Sequence, residues 1–447
     1  MFRRILIANR GEVAARVMRT CAKLGIESVA LTTDADADLG FLSEATVKAN
    51  IGGSRAYLDL DAVLEAGKAH DASAVHPGWG FLSENPTFAA RCEAAGLTFV
   101  GPRSSSMRRM ADKAEARTTM AALGLPTIPG SDGVLRGTKD ALQVAADIGY
   151  PVLLKAVSGG GGRGMRIVRE PAGMDAAFSE ASGEAQSAFG DGRMYLEKLI
   201  ENGRHIEFQI VGDGHRVQVL GERECSIQRR HQKLLEETPS PGLRGPDGDA
   251  LKSRVAAQIR SACESMAYRG AGTIEMLYDP SGALYFMEMN TRLQVEHTVT
   301  EMVTGEDLVE AQLKVAANHR LTDFSPPTGW AIQCRINAED AADGFRPQPG
   351  RLVRFALPEG EGIRVDTHLV EGDSISPHYD SMIAKIIAYG SDRTEAIARM
   401  RKALDEFEVE GVPTTAPFHR RLLDHPGFIS GDTDTGFLER ELEELLS

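Results

Sequence analysis

Short apolar runs and amphipathic stretches alternate along the first hundred residues. Residues 4–8 (RILIA) carry a continuous apolar run, the pattern of a strand buried on both faces. Over residues 12–24, Val13, Val17, Met18, Cys21 and Leu24 recur at helical spacing, and Gly25 stands where a helix C′ glycine belongs. ESVAL (27–31) predicts a second strand, and further alternations lead to Ala74-Val75 and to residues 98–100. A strand-helix-strand series of this kind predicts a parallel sheet with helices on both faces.

After residue 112 the pattern changes. A helix is predicted with Lys113 near its start, and a new region opens around Ile128-Pro129-Gly130. PVLLKAV (151–157), residues 165–168 and MYLEKLI (194–200) read as strands, with a helix over 172–188 between the last two. From Arg204 onward, alternating runs at 205–211 and 216–220 predict an antiparallel sheet. Asp392 with Glu395 predicts a capped helix whose apolar stripe is Ile397, Met400, Leu404 and Phe407, and LERELEELLS predicts a closing amphipathic helix. The expected division is 1–112 (parallel α/β), 113–203 (linker helices and a small α+β unit) and 204–447 (a large α+β domain).

Composition narrows the class. The 447 residues are 42% hydrophobic and 26% charged, which is globular, and the net charge of -14 argues against a nucleic-acid partner. Five scattered cysteines without C-x-x-C spacing argue against a disulfide framework or a zinc site and fit a reducing cytoplasm. No apolar stretch reaches membrane-spanning length, so no membrane association is expected.

Three segments carry candidate chemistry. The first is SGGGGRGM (158–165), which includes Gly161 and Gly162. It lacks the G-K-[ST] of a phosphate-binding P-loop and is followed by a strand rather than a helix, so neither P-loop nor dinucleotide readings hold. A hairpin tip whose bare backbone closes over phosphate remains, with Lys155 adding positive charge; a plain flexible hairpin fits the glycines equally well. The second is the pair GTIEMLY (272–278) and ALYFMEM (283–289), separated by Asp279-Pro280-Ser281-Gly282. A hairpin centred on Ser281-Gly282 sets Glu275 opposite Glu288. Facing carboxylates call for a proton or a cation between them, and Asn290 adds a neutral oxygen on the same face, a hard all-oxygen set suited to Mg²⁺ or Mn²⁺. Alternation then continues through Arg292, Gln294 and Glu296, with Met287, Met289, Leu293 and Val295 on the other side. The third is Arg229-Arg230-His231-Gln232-Lys233, a cationic run in an acidic chain. Lys233 and His231 read as an anion site, whereas Arg229 and Arg230 fit a solvated loop as well. Arg335, between apolar Cys334 and Ile336, points away from both.

Together with IANRGE (7–12), HPGWGFLSEN (76–85), CSIQRRHQK (225–233), RGAGTIE (269–275), MEMNTRLQVEH (287–297), CRINAED (334–340) and HYDSMIAK (378–385), these segments resemble the biotin carboxylase family of the ATP-grasp superfamily across nearly the whole chain. The resemblance implies an N-terminal parallel α/β domain, a small mobile lid and a large catalytic domain. It implies a ligase that makes carboxyphosphate from ATP and bicarbonate, then carboxylates biotin on a carrier protein. It implies that Lys113, Lys155, Gly161 and Gly162 hold phosphates, with Met165, Glu197, Lys198, Leu199 and Ile200 around the base and His205, Gln228 and His231 on the ribose or phosphate side. Glu275, Glu288 and Asn290 would carry two metal ions. Lys233, Arg292, Gln294 and the Val295 backbone would hold bicarbonate, Glu296 would deprotonate it, and Arg335 would stabilise the biotin enolate. A homodimer, a biotin carboxyl carrier protein and carboxyltransferase subunits are the expected partners, and no biotin-attachment motif appears before Ser447. Two departures stand out: Ala111 where the family often has glycine, and Trp79 where it often has tyrosine, the latter expected at the mouth of the biotin site. Another ATP-grasp ligase would not need the RRHQK and CRINAED segments, and a silent nucleotide-binding subunit would not keep Glu275, Glu288, Asn290, Arg292 and Glu296 together.

Overall fold

The computed structural model describes residues 1–158 and 164–446. Strands β1 (Arg4–Ile7), β2 (Glu27–Thr32), β3 (Val47–Asn50), β4 (Ala74–His76) and β5 (Thr98–Phe99) form a parallel sheet in the order β3-β2-β1-β4-β5. Successive β1 side chains face opposite ways, as strand geometry demands. Leu6 packs with Val63, Leu64 and Phe88 on one side, while Ile5 and Ile7 pack with Val13 and Val17 on the other. That second side also meets Ala271, Leu293 and Leu313, so the helix Gly11–Lys23 is sandwiched between its own sheet and the C-terminal half of the chain. The helix ends as its glycine predicts: Gly25 has φ +67°, a conformation costly for any side chain with a Cβ.

Asp112 caps the helix Lys113–Ala122 by accepting from the Glu115 N–H. Next come β6 (Val152–Ala156), β7 (Met165–Val168) and β8 (Met194–Lys198), a three-stranded antiparallel sheet in the order β7-β6-β8, backed by the helix Met174–Phe189.

The largest sheet has eight strands. In chain order they are β9 (Arg204–Asp213), β10 (Val217–Arg229), β11 (Gln232–Thr238), β12 (Arg269–Tyr278), β13 (Leu284–Asn290), β14 (Trp330–Asn337), β15 (Ile363–Thr367) and β16 (Met382–Gly390). Their spatial order is β13-β12-β9-β10-β11-β14-β16-β15, antiparallel throughout. The expected antiparallel sheet is present, and β10 runs much further than the predicted 216–220. One face is apolar and packs on the helix Gly245–Ser265 through Ile206, Phe208, Ile274 and Met276. Along β9 the other face reads His205, Glu207 and Gln209, all buried. Such a face needs internal partners for every polar group. Asp392 caps the helix Arg393–Glu406 as expected, with Ile397, Met400, Leu404 and Phe407 buried beneath it.

The predicted nine-residue strand face from 288 to 296 is corrected. The strand stops at Asn290; residues 291–296 form an irregular link, and a helix begins at His297. The period of two breaks because Thr291 and Arg292 turn to another partner: Glu84 of the first domain takes the Thr291 N–H at 3.0 Å and the Arg292 Nε at 2.9 Å. Glu296 is consequently fully buried rather than lying on a half-exposed strand face.

Candidate active site

Glu275 does stand opposite Glu288, as the sequence predicts, but by a different route. Tyr278 pairs with Leu284 and Met276 with Phe286, so the turn is centred on Ser281. A β-bulge at Met287 then adds the residue that brings Glu288 into register. On the other side of β12, Glu275 faces Glu207, and Glu207 in turn faces Arg223 on β10. Two carboxylates directly opposed across strands repel, and the sheet resolves this with one cation. The Lys233 ammonium contacts Glu207 at 2.6 Å, Glu275 at 2.9 Å and Glu296 at 2.6 Å. Burial opposes its charge, but the three carboxylates hold its pKa well above the ordinary lysine value.

Around this hub the partners are specific. Arg223, fully buried, donates to Glu207 at 2.6 Å. His205 lies 3.4 Å from Glu275; burial disfavours its charged form most strongly, yet Glu275 and Glu207 together raise its pKa to about 9. Glu275 is held well below the usual carboxylate range despite its burial, by Lys233 and His205. Gln228 contacts His205 Nδ1 at 3.1 Å, and Gln294 donates to Glu275 at 3.2 Å. Arg335 reaches Glu236 and, at 3.0 Å, the second oxygen of Glu296. Cys334 and Ile336 are fully buried, so Arg335 points away from them as expected. Arg292 spans Glu84, Asn290 (3.1 Å) and Gln294 (3.0 Å). Burial alone would lower its pKa, but Glu84 raises it, and the guanidinium stays charged.

One further contact ties a smaller element to this face: Lys113 meets Glu288 at 2.6 Å. Within the three-stranded sheet, Lys155 on β6 meets Glu197 on β8 at 2.6 Å. Glu275, Glu288 and Asn290 thus each have an oxygen turned to a protein cation, from Lys233, Lys113 and Arg292 respectively. Their all-oxygen chemistry suits a hard divalent ion. Among the described residues, compact groups of metal-ligand type include His205–Glu207–Glu275 and Glu207–Cys225–Glu296, and in both Lys233 already contacts the carboxylates.

Other predicted residues lie apart from this hub. The Lys198 and Leu199 N–H groups donate to the Pro129 and Pro151 carbonyls, and the Lys198 ammonium caps the Gly149 and Tyr150 carbonyls. Met165 pairs with Lys155 across β6 and β7, and Ile200 lies just past the end of β8. His231 is exposed at the tip of the β10–β11 hairpin. It and Arg230 both have positive φ, the backbone of a two-residue hairpin turn that side chains other than glycine rarely adopt. Arg229 packs over the Phe345 ring. Gly161 and Gly162 lie outside the described residues. The Trp79 ring lies 6.1 Å from the His297 ring and 5.1 Å from the Lys385 ammonium. Sequence reasoning missed Glu84, Glu207, Arg223 and Glu236. The polar period of two in His205, Glu207 and Gln209 on an otherwise apolar strand was the available signal for one of them.

Three family models match in chain order: "Biotin carboxylase, N-terminal domain" over 1–107, "Carbamoyl-phosphate synthase L chain, ATP binding domain" over 112–324, and "Biotin carboxylase C-terminal domain" over 333–440. The chain belongs to the biotin carboxylase family. It is an ATP-grasp ligase with mixed α/β architecture. The biotin carboxylase of Nostoc sp. is 47% identical, over 98% of this chain and 99% of that protein. A Campylobacter jejuni biotin carboxylase–β,γ-ATP complex superposes with a TM-score of 0.95 at 43% identity, covering 98% of this chain and 99% of that one. The biotin carboxylase domain dimer of Hydrogenobacter thermophilus 2-oxoglutarate carboxylase, solved with MgADP, ADP and bicarbonate, also gives 0.95 at 43% identity, covering 100% and 99%. The family therefore fits the carboxylate-rich sheet face, with its basic residues, described above.

Proposed function

We propose that this chain carboxylates biotin on a carrier protein, using ATP and bicarbonate through carboxyphosphate. The observation that carries this reading is Glu296: fully buried, held at 2.6 Å by Lys233 and 3.0 Å by Arg335, four residues from Arg292. Bicarbonate is a poor nucleophile until it loses its proton, and a carboxylate beside cationic anchors is the group to take it. With Lys233 shared among three carboxylates, an anion arriving between Lys233 and Arg292 draws the ammonium toward itself and frees Glu296 as base. A bicarbonate oxygen then attacks the γ-phosphorus and the bond to the ADP oxygen breaks, giving ADP and carboxyphosphate. The carboxyl C–O bond to the phosphorus-bound oxygen then breaks, the released phosphate takes the ureido N–H proton, and the carboxyl group passes to that nitrogen of biotin, whose enolate oxygen Arg335 stabilises.

Lys113 and Lys155 serve the phosphates, together with Gly161 and Gly162. Lys113, held by Glu288, would be free for phosphate once a cation took its place on that carboxylate. Met165, Glu197, Lys198, Leu199 and Ile200 border the base, and His205, Gln228 and His231 the ribose or phosphate side. Gln294 and the Val295 backbone complete the bicarbonate site. Glu275, Glu288 and Asn290 would hold Mg²⁺ or Mn²⁺ at two sites, supplying charge neutralisation across the transferring phosphate. We also assign divisions at 112 and 203, a homodimer, a biotin carrier and carboxyltransferase as partners, and a cytoplasmic setting. ADP release measured with and without bicarbonate and biotin, beside fixation of labelled bicarbonate into biotin, tests the reading. ADP release indifferent to both would overturn it.

A further inference from the structure

The motifs IANRGE and HYDSMIAK contribute no side chain to the chemistry above, and HPGWGFLSEN contributes only Glu84, yet all three meet at one point behind it. Lys385 from the last motif is fully buried. Its ammonium contacts Glu12 of the first motif at 3.1 Å, lies 3.6 Å from Asp366, and sits 5.1 Å over the ring of Trp79 from the second motif. It also donates to the Val295 carbonyl at 3.1 Å. One residue earlier in the same loop, His297 Nδ1 lies 2.7 Å from the Gln294 carbonyl. A carbonyl only accepts, so Nδ1 carries the proton.

In a planar trans peptide the N–H points opposite to the C=O. Holding the Gln294 carbonyl therefore aims the Val295 N–H to the far side, and holding the Val295 carbonyl does the same for the Glu296 N–H. Among the described residues neither of these N–H groups has a hydrogen-bond acceptor. Two adjacent donors without partners, in a segment whose neighbours are buried, call for an external acceptor.

We propose that Lys385 and His297 are positioning residues that fix two successive peptide planes so that the Val295 and Glu296 N–H groups meet the bicarbonate anion. The inference rests on the bicarbonate site proposed above. Beside Glu84 on Arg292, it gives the N-terminal domain a second role in the chemistry: Glu12 anchors Lys385, which anchors the peptide that carries the base. His297 works here as a neutral donor, because burial and then Lys385 keep its pKa far below the ordinary histidine value.

The test separates anion positioning from simple folding. K385M removes the ammonium, and E12Q/K385M removes the charge left on Glu12 as well. H297L removes the second donor, whereas H297N keeps one near the Nδ1 position. The expected result is a rise in the KM for bicarbonate of roughly 10- to 100-fold in K385M, E12Q/K385M and H297L, the scale of losing one hydrogen bond to a charged group. The Kd for ATP stays within about twofold, and H297N recovers most of the H297L loss. R292A is the control for the underlying site. If R292A raises the bicarbonate KM and the Lys385 and His297 variants do not, the positioning role is overturned while the site stands. If R292A also leaves it unchanged, the bicarbonate site itself fails. Should both Lys385 variants prove unfolded by thermal melting, the H297L and H297N pair decides: equal bicarbonate KM values for the two would overturn the proposal.

Discussion

Replacing Glu296 by glutamine is the most informative single change. The side chain keeps its shape but loses its charge at the point where Lys233 and Arg335 converge. Lys233 retains Glu207 and Glu275, and Arg335 retains Glu236, so neither cation is stranded. The amide carbonyl can still accept from one of them, and the structural cost is about 2 kcal/mol, that of weakening a charge-assisted hydrogen bond. Loss of a general base costs about 10²- to 10⁴-fold in turnover, or roughly 3–5 kcal/mol of barrier. The catalytic effect therefore exceeds the structural one, and the two are read separately. Biotin-dependent ADP release reports the first, and the thermal midpoint together with ATP affinity reports the second. The expected outcome is a hundredfold or greater fall in kcat, on the order of the general-base term, with ATP affinity little changed. Turnover within about threefold of the parent protein, with bicarbonate dependence intact, would refute the assignment of Glu296 as base.

Arg335→Met should abolish carboxyl transfer to biotin while leaving a slow, biotin-independent, bicarbonate-dependent ATP hydrolysis, measured as ADP release without biotin. Glu288→Gln should raise the Mg²⁺ concentration for half-maximal activity about tenfold or more, because one of three oxygen ligands loses its charge; an unchanged Mg²⁺ titration would remove Glu288 from the metal set. His76 and His419 are buried and neutral, with burial lowering each pKa from 6.5 to about 4. Because the unfolded chain binds those protons more tightly, stability falls as pH drops through 6.5, by about 2 kcal/mol per histidine at pH 5, and levels off below about 4; urea midpoints from pH 7 to 4 would show it, and a flat profile would contradict it. Asp392→Ala should lower stability by about 1 kcal/mol through loss of the cap on the Glu395 N–H, with unchanged kcat.

The reach of sequence reasoning tracked the range of the physics. The parallel sheet, the capped helix at Asp392 and the alternation of strands with helices near the start are set by patterns within a dozen or so residues, and they appear as read. The pairing of Glu275 with Glu288 was also legible, since a short hairpin leaves few registers, although the bulge at Met287 that completes it was not. Residues 291–296 mark the boundary. Their alternation predicts a strand, but a carboxylate 207 positions away, Glu84, takes the Thr291 N–H, and the chain leaves the sheet. Lys233 was readable as a cation awaiting anions; that its partners would be Glu207, Glu275 and Glu296 depends on β10 and β9 lying between it and β12. Sequence alone determined which residue types could bind phosphate, metal and bicarbonate, because charge and donor chemistry belong to the side chain itself. Only the tertiary structure decided which carboxylate each cation meets and which peptide each buried group holds, because buried charges take whichever opposite charge the strand order brings within hydrogen-bond reach.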